Sequence, residues 1–154
     1  EAEKQTVGFI KYVLSKNPMI LDKNTRTFIP AHIKRTSHNS VRDLVFNHNS
    51  KCIVVVLNGQ EKTLQYKDIS ENIKSIPLLS NDDEVCETIS KIVKKHNLEE
   101  RPIVITGFLC VSLGQTLTHR NIGSFTSAIF SHQDLANDDV YQLFGRITGA
   151  CRCV

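Results

Sequence analysis

Much of what this chain does can be bounded by what it lacks. No apolar run approaches the length needed to cross a bilayer. Its first residues, EAEKQTVGF, have no basic stretch leading into an apolar one, so no secretory signal is expected. There is no C-x-x-C pair among the five cysteines, Cys52, Cys86, Cys110, Cys151 and Cys153. Their number is odd, Cys151 and Cys153 are too close in sequence for an ordinary bridge, and Cys52 and Cys110 sit in or beside apolar runs. This excludes a disulfide framework and predicts reduced thiols in an intracellular protein of the cytoplasm or nucleus. The six histidines are scattered, and His32 and His38 lack the i, i+4 spacing of a helical zinc pair, so no metal site is expected. There is no G-x-x-x-x-G-K-[ST] loop and no D-E-x-H tetrad, which excludes a self-sufficient site for a nucleoside triphosphate and its Mg²⁺. Strong charge of one sign is also missing. The formal net charge of +3 permits nucleic-acid binding without demanding it. With no internal repeat and no low-complexity segment, 154 residues at a mean hydropathy of -0.19 predict one globular domain with a sizeable core.

What is present alternates. Residues 1–15 can form a helix with Val7, Ile10, Val13 and Leu14 on one side, weakened by Gly8 and ended by Asn17-Pro18. Residues 1–18 are thus read as an N-terminal helix or linker, and 19–154 as the main domain. A strand is expected over 27–29, stopping at Pro30. A helix follows, with Val41, Leu44, Val45 and Phe46 as its apolar residues and Ser37 or Ser40 as its cap. KCIVVVL, ending at Leu57, is the strongest strand. Its unbroken apolar run predicts burial on both faces, as in a parallel sheet. KTLQY, residues 62–66, alternates and is charged, which predicts an edge strand in a hairpin with the preceding one. Residues 67–80 read as irregular, with Pro77 inside. NDDEVCETISKIVKKHNLEE then reads as a helix whose acidic start and basic end complement its dipole, with Val85, Ile89, Ile92 and Val93 as the buried stripe. Further strands are expected over 103–105 and 127–130. A last helix begins at Asp138 or Asp139 and carries Val140, Leu143, Phe144 and Ile147 at helical spacing.

Strands alternating with helices predict an α/β domain with a mainly parallel sheet and helices on both faces. Ligands of such sheets bind at the carboxyl ends of the strands. Those ends place two polar loops, PAHIKRTSH after the first strand and GFLCVSLGQTLTHRN after the strand at 103–105, on one rim. His32, Lys34 and Arg35 supply charge and donors beside a helix start, the ingredients of phosphate binding.

The order from Pro102 onward is strand, glycine-bearing loop, strand, then a helix with Gln142, Gly145 and Arg146. It resembles the end of the second RecA-like domain of superfamily 2 DNA/RNA helicases, whose motif VI reads Q-x-x-G-R-x-G-R. Thr148 and Gly149 depart from that pattern, standing where its second glycine and second arginine are usual. FIPAH and LGQTLTHR also resemble the wording of helicases of large DNA viruses. The resemblance implies a RecA-like three-layer domain that is one half of a larger ATP-dependent motor. ATP and Mg²⁺ would be held mainly by a first RecA-like domain, the partner of this one. Arg146 would act as arginine finger, Gln142 would position the phosphate, and Gly114, Thr116 and Arg152 would face the nucleotide. His32, Lys34, Arg35, Thr106 and Gly107 would contact the backbone of single-stranded or duplex nucleic acid. A non-catalytic helicase-like interaction domain is the alternative, favoured by Gly149 and by the missing phosphate loop. A small-molecule α/β enzyme has only GQTLTHR in its support.

Overall fold

A computed structural model describes residues 2–31, 35–57, 62–78, 85–108 and 126–129. In chain order the elements are α1 (Ala2–Lys16), β1 (Arg26–Ala31), α2 (Arg35–His48), β2 (Ile53–Leu57), β3 (Lys62–Lys67), β4 (Ile73–Pro77), α3 (Val85–Lys95), β5 (Ile103–Phe108) and β6 (Ser127–Ala128). The strands form one six-stranded sheet in the order β4-β3-β2-β5-β1-β6.

The sheet is mixed, where a mainly parallel one was expected. β2, β5, β1 and β6 run parallel, whereas β3 and β4 each run antiparallel to the preceding strand. Connection length explains the difference. Only residues 58–61 separate β2 from β3, far short of the dozen or more residues that a parallel crossover requires. β4 and β3 are joined by a tight turn in which Asp68 Oδ1 accepts from the Asn72 N–H at 2.9 Å and Glu71 takes a φ of 64°. β4 also corrects the reading of 67–80 as irregular and of β3 as the edge. β3 is interior, with Leu64 and Gln65 buried, and the exposed β4 is the edge. Lys74 and Pro77 on β4 are residues that protect an edge from further pairing.

Pleat parity divides the core into two layers. Ile53, Val55, Leu57, Phe28, Leu64 and Ile105 face one side, where Ile89 and Val93 of α3 cover them. Val54, Val56, Ile29 and Val104 face the other, covered by Ile10 and Leu14 of α1 and by Val41, Val45 and Phe46 of α2. The expected helices on both faces are therefore present. All five residues of β2 are buried, as their unbroken apolar run requires of a strand covered twice. Burial of each such side chain is worth about 1.5–3 kcal/mol relative to exposure.

The helix ends fix where the strands begin. α3 has Glu87 in its first turn and Lys94 and Lys95 in its last, matched to its dipole. It stops in a Schellman arrangement. Asn97 is left-handed at φ 58°, the Leu98 N–H donates to the Val93 carbonyl at 2.9 Å, and the Asn97 N–H donates to Lys94 at 3.3 Å. Leu98 is buried in the same cluster as Val93, the apolar contact that completes the motif. α1 ends where Asn17 donates from both its N–H, at 3.0 Å, and its side chain, at 2.8 Å, to the Val13 carbonyl, with Pro18 next. α2 begins at Arg35, so Ser37 and Ser40, expected as caps, lie inside it. β1 continues through Pro30 to Ala31 rather than stopping there; it lies between β5 and β6 and makes its ladder with both.

Candidate nucleic-acid interface

Register brings the carboxyl ends of β1 and β5 together. In the β1–β5 ladder Ile29 pairs with Thr106, Pro30 with Gly107, and Ala31 with Phe108. Segment 32–34 and segment 109–125 therefore leave from neighbouring carboxyl ends at the centre of the parallel strands. They also leave in opposite directions. From β1 the chain crosses β5 to reach β2, and from β5 it crosses β1 to reach β6. Opposed departure from adjacent strands is a topological switch point, the place where open α/β sheets form a crevice.

α2 starts beside this crevice. Arg35 is its first residue, and α2 packs on both β1 and β5. A helix start presents main-chain N–H groups without intrahelical partners, which favours an anion. Downstream, α2 is pinned to the sheet by Arg42. Its Nη1 donates to Gln65 Oε1 at 3.1 Å, and Gln65 Nε2 in turn donates to Thr63 Oγ1 at 3.1 Å. This pairing satisfies the buried Gln65 amide, and the Lys67 ammonium lies 5.4 Å from the centre of the Phe46 ring. The base of α2 is thereby fixed relative to β3, which fixes its start relative to β1 and β5.

Thr106 is fully buried on the α1/α2 side, and its Oγ1 has no hydrogen-bond partner among the described residues. Its register neighbours are Ile29 and Val56, both buried and apolar. A hydroxyl held this way is not presented at the rim; β5 runs on through Gly107 to Phe108. By contrast Thr27, equally buried, shares a hydrogen bond with Ser127 at 2.8 Å.

That bond is part of a hydroxyl clasp absent from the sequence reading. Thr126 Oγ1 accepts from the Arg26 N–H at 3.0 Å and donates to the Arg26 carbonyl at 2.9 Å, while the Thr126 N–H donates to the same carbonyl at 2.7 Å. The Ile129 N–H donates to the Phe28 carbonyl at 2.9 Å. A two-residue strand is thus held against β1 by side chains acting as extra backbone. The Thr-Ser pair at 126–127 opposite Arg26-Thr27 is the only trace of it in the sequence.

Of the residues expected at the site, Arg35, Thr106 and Gly107 fall on described elements, Arg35 at the start of α2 and Gly107 near the end of β5, with the Thr106 side chain buried behind this rim. His32 and Lys34 belong to segment 32–34, and Gly114, Thr116, Gln142, Arg146 and Arg152 to later segments; all seven lie outside the described residues, as does the helix expected from Asp138. No helix among the described residues is long and apolar enough to span a membrane. No family model matches the chain, and no curated protein or solved structure does either.

Proposed function

We propose that this chain is the second RecA-like domain of a superfamily 2 nucleic-acid helicase or translocase. The observation that carries the reading is the juxtaposition of the β1 and β5 carboxyl ends at a switch point, Pro30 opposite Gly107. The basic run His32, Lys34, Arg35 follows the first of these strand ends in sequence, and the glycine-bearing run follows the second. The Gln142, Gly145, Arg146 pattern follows in the order that such domains use. On this reading the rim grips the phosphate backbone of a strand. ATP with its Mg²⁺ binds between this domain and a first RecA-like domain, which holds most of both. Arg146 supplies positive charge to the phosphoryl group in transfer, Gln142 positions it, and Gly114, Thr116 and Arg152 line the nucleotide.

The test is the salt dependence of single-strand binding. Each phosphate contact contributes about 0.7 to the slope of log K against log salt for a single strand. Lys34→Ala combined with Arg35→Ala should weaken binding and lower that slope by about 1.4. An unchanged slope with the fold intact would remove this rim from the nucleic-acid track. The chain alone, having no phosphate-cradling loop, should not turn over ATP, and hydrolysis above a buffer blank would contradict the reading. A non-catalytic interaction domain is the second reading, favoured by Gly149 where the second arginine of the motif is usual. It predicts that Arg146→Ala leaves the activity of any larger assembly unchanged.

A further inference from the structure

The opposite rim of the sheet also carries a built depression. Three turns meet there: 22–25 before β1, 49–51 before β2 and 96–102 before β5. Main-chain bonds clamp them together. The Asn24 N–H donates to the Glu100 carbonyl at 3.0 Å, the Ile103 N–H to Thr25 at 2.9 Å, and the Ile53 N–H to Pro102 at 2.8 Å. Between the turns lies a cleft of about 660 Å³ whose walls include Lys23, Lys51 and Glu100. A smaller pocket of about 250 Å³ adjoins it, floored by Ile89, Val93 and Ile103 and edged by Arg26, Ser90 and Lys94. Glu99 and Arg101 line both.

Arg101 is the hinge of this arrangement. It is half-buried, its Nη1 donates to the Lys67 carbonyl at 3.0 Å, and its guanidinium carbon stands 5.9 Å from the centre of the Tyr66 ring. A guanidinium has five N–H donors in a planar fork, so a group anchored through one of them keeps donors for a planar or tetrahedral anion. Around it are four further cations, Lys23, Arg26, Lys51 and Lys94, against the carboxylates of Glu99 and Glu100. Glu100 is already engaged by Lys23 at 3.0 Å. The charge balance favours an anion, and the apolar floor beside it favours a hydrocarbon group attached to that anion.

We propose that this cleft is a binding site for a small amphiphilic anion. Its carboxylate or phosphate is held by Arg101, and its apolar group fills the pocket over Ile89, Val93 and Ile103. The site is independent of the nucleic-acid rim. The six residues of β5 separate the two, which at about 3.3 Å per residue is roughly 20 Å. Failure of either reading leaves the other standing.

Titration of the ¹⁵N-labelled chain with benzoate and with phenyl phosphate, followed by amide chemical shifts, tests the proposal. Saturable shifts are expected at Ser90, Val93, Arg101 and Ile103 with at least one of the two probes, and whichever binds identifies the anionic group. Acetate and inorganic phosphate, which lack the apolar group, should bind at least tenfold more weakly. Arg101→Ala should abolish binding. Ser90→Phe, which fills the pocket and leaves Arg101 in place, should abolish binding of the aryl probes. Glu99→Gln should tighten it by removing the carboxylate on the shared wall. Shifts that rise linearly, scatter over the surface, or persist unchanged in both Arg101→Ala and Ser90→Phe would overturn the proposal.

Discussion

Thr106 provides the sharpest test of the energetics at the candidate rim. Its side chain is fully buried, its Oγ1 has no partner among the described residues, and its register neighbours are Ile29 and Val56. Valine has the same branched shape and the same preference for strands, but no hydroxyl to desolvate. A buried hydroxyl without a hydrogen bond costs about 1–3 kcal/mol, so Thr106→Val should raise stability by about that amount. For a domain of this size that is a rise in Tm of about 3 °C per kcal/mol. Urea unfolding followed by circular dichroism measures it as a higher midpoint at an unchanged slope. Thr27→Val is the matched control one strand away. Its hydroxyl is bonded to Ser127 at 2.8 Å, so the same exchange should lose about 1 kcal/mol. Opposite signs at two buried threonines of adjacent strands would show that partnering, not burial, decides the outcome. Loss of 1 kcal/mol or more in Thr106→Val would mean that the hydroxyl has a partner, and the account given of this position would fail. Single-strand affinity should be unchanged by Thr106→Val, because the side chain does not reach the rim.

Three further outcomes follow from other positions. Gly8 is exposed within α1, and a Cβ added there meets nothing within 4 Å; Gly8→Ala should therefore stabilise by about 0.5–1 kcal/mol in the same unfolding assay, and a loss would show that α1 is not a regular helix at that point. Burial pushes the Cys52 thiol from 9.0 up to about 12. The folded chain thus retains a proton that the unfolded chain releases above 9.0, so stability should fall between those values. Alkylation by iodoacetamide at pH 8, mapped by peptide mass spectrometry, should spare Cys52 until the chain is unfolded. In a motor that contains this domain, Arg146→Ala should slow ATP hydrolysis about 10³-fold or more with little change in ATP affinity. Arg152→Ala run beside it and in the double variant tells whether Arg152 replaces the arginine that Gly149 displaces: two slow singles with a double hardly slower mean that it does.

The parts of the fold that were legible in the sequence are those with one dominant physical signal. KCIVVVL could only be a strand covered on both faces, and β2 is that. The stripe Ile89, Ile92, Val93 with acids before and lysines after it could only be an amphipathic helix, and α3 follows it to its left-handed cap at Asn97. β4 was missed because its stability is borrowed. IKSIP buries little of itself and is a strand because β3 offers a free ladder, an interaction that no window of its own sequence records. The mixed sheet was missed for a related reason. The antiparallel hairpin of 62–66 with the strand before it is as expected, and the pairing without a signal in the sequence is the second antiparallel one, of β4 on β3.

At the candidate site the sequence located the strands that became β1 and β5 but not how side chains are disposed at their ends. That β1 and β5 are neighbours follows from pairing between segments far apart in the chain, and no local pattern fixes it. Once it is fixed, the consequence for Thr106 is set by parity. Val104 faces α1 and α2, Ile105 faces α3, and Thr106 must return to the helix-covered side of Val104. A threonine at the end of an apolar run looks, in sequence, like the first polar residue of a loop. In the ladder it lies inside the strand, buried and flanked by Ile29 and Val56. β5 runs two residues further, through Gly107 and Phe108, before the chain leaves the sheet. Polar character therefore marked the end of the strand too early. A hydroxyl assigned to a ligand from its position in a motif has to be checked against the face of the sheet on which the pleat puts it.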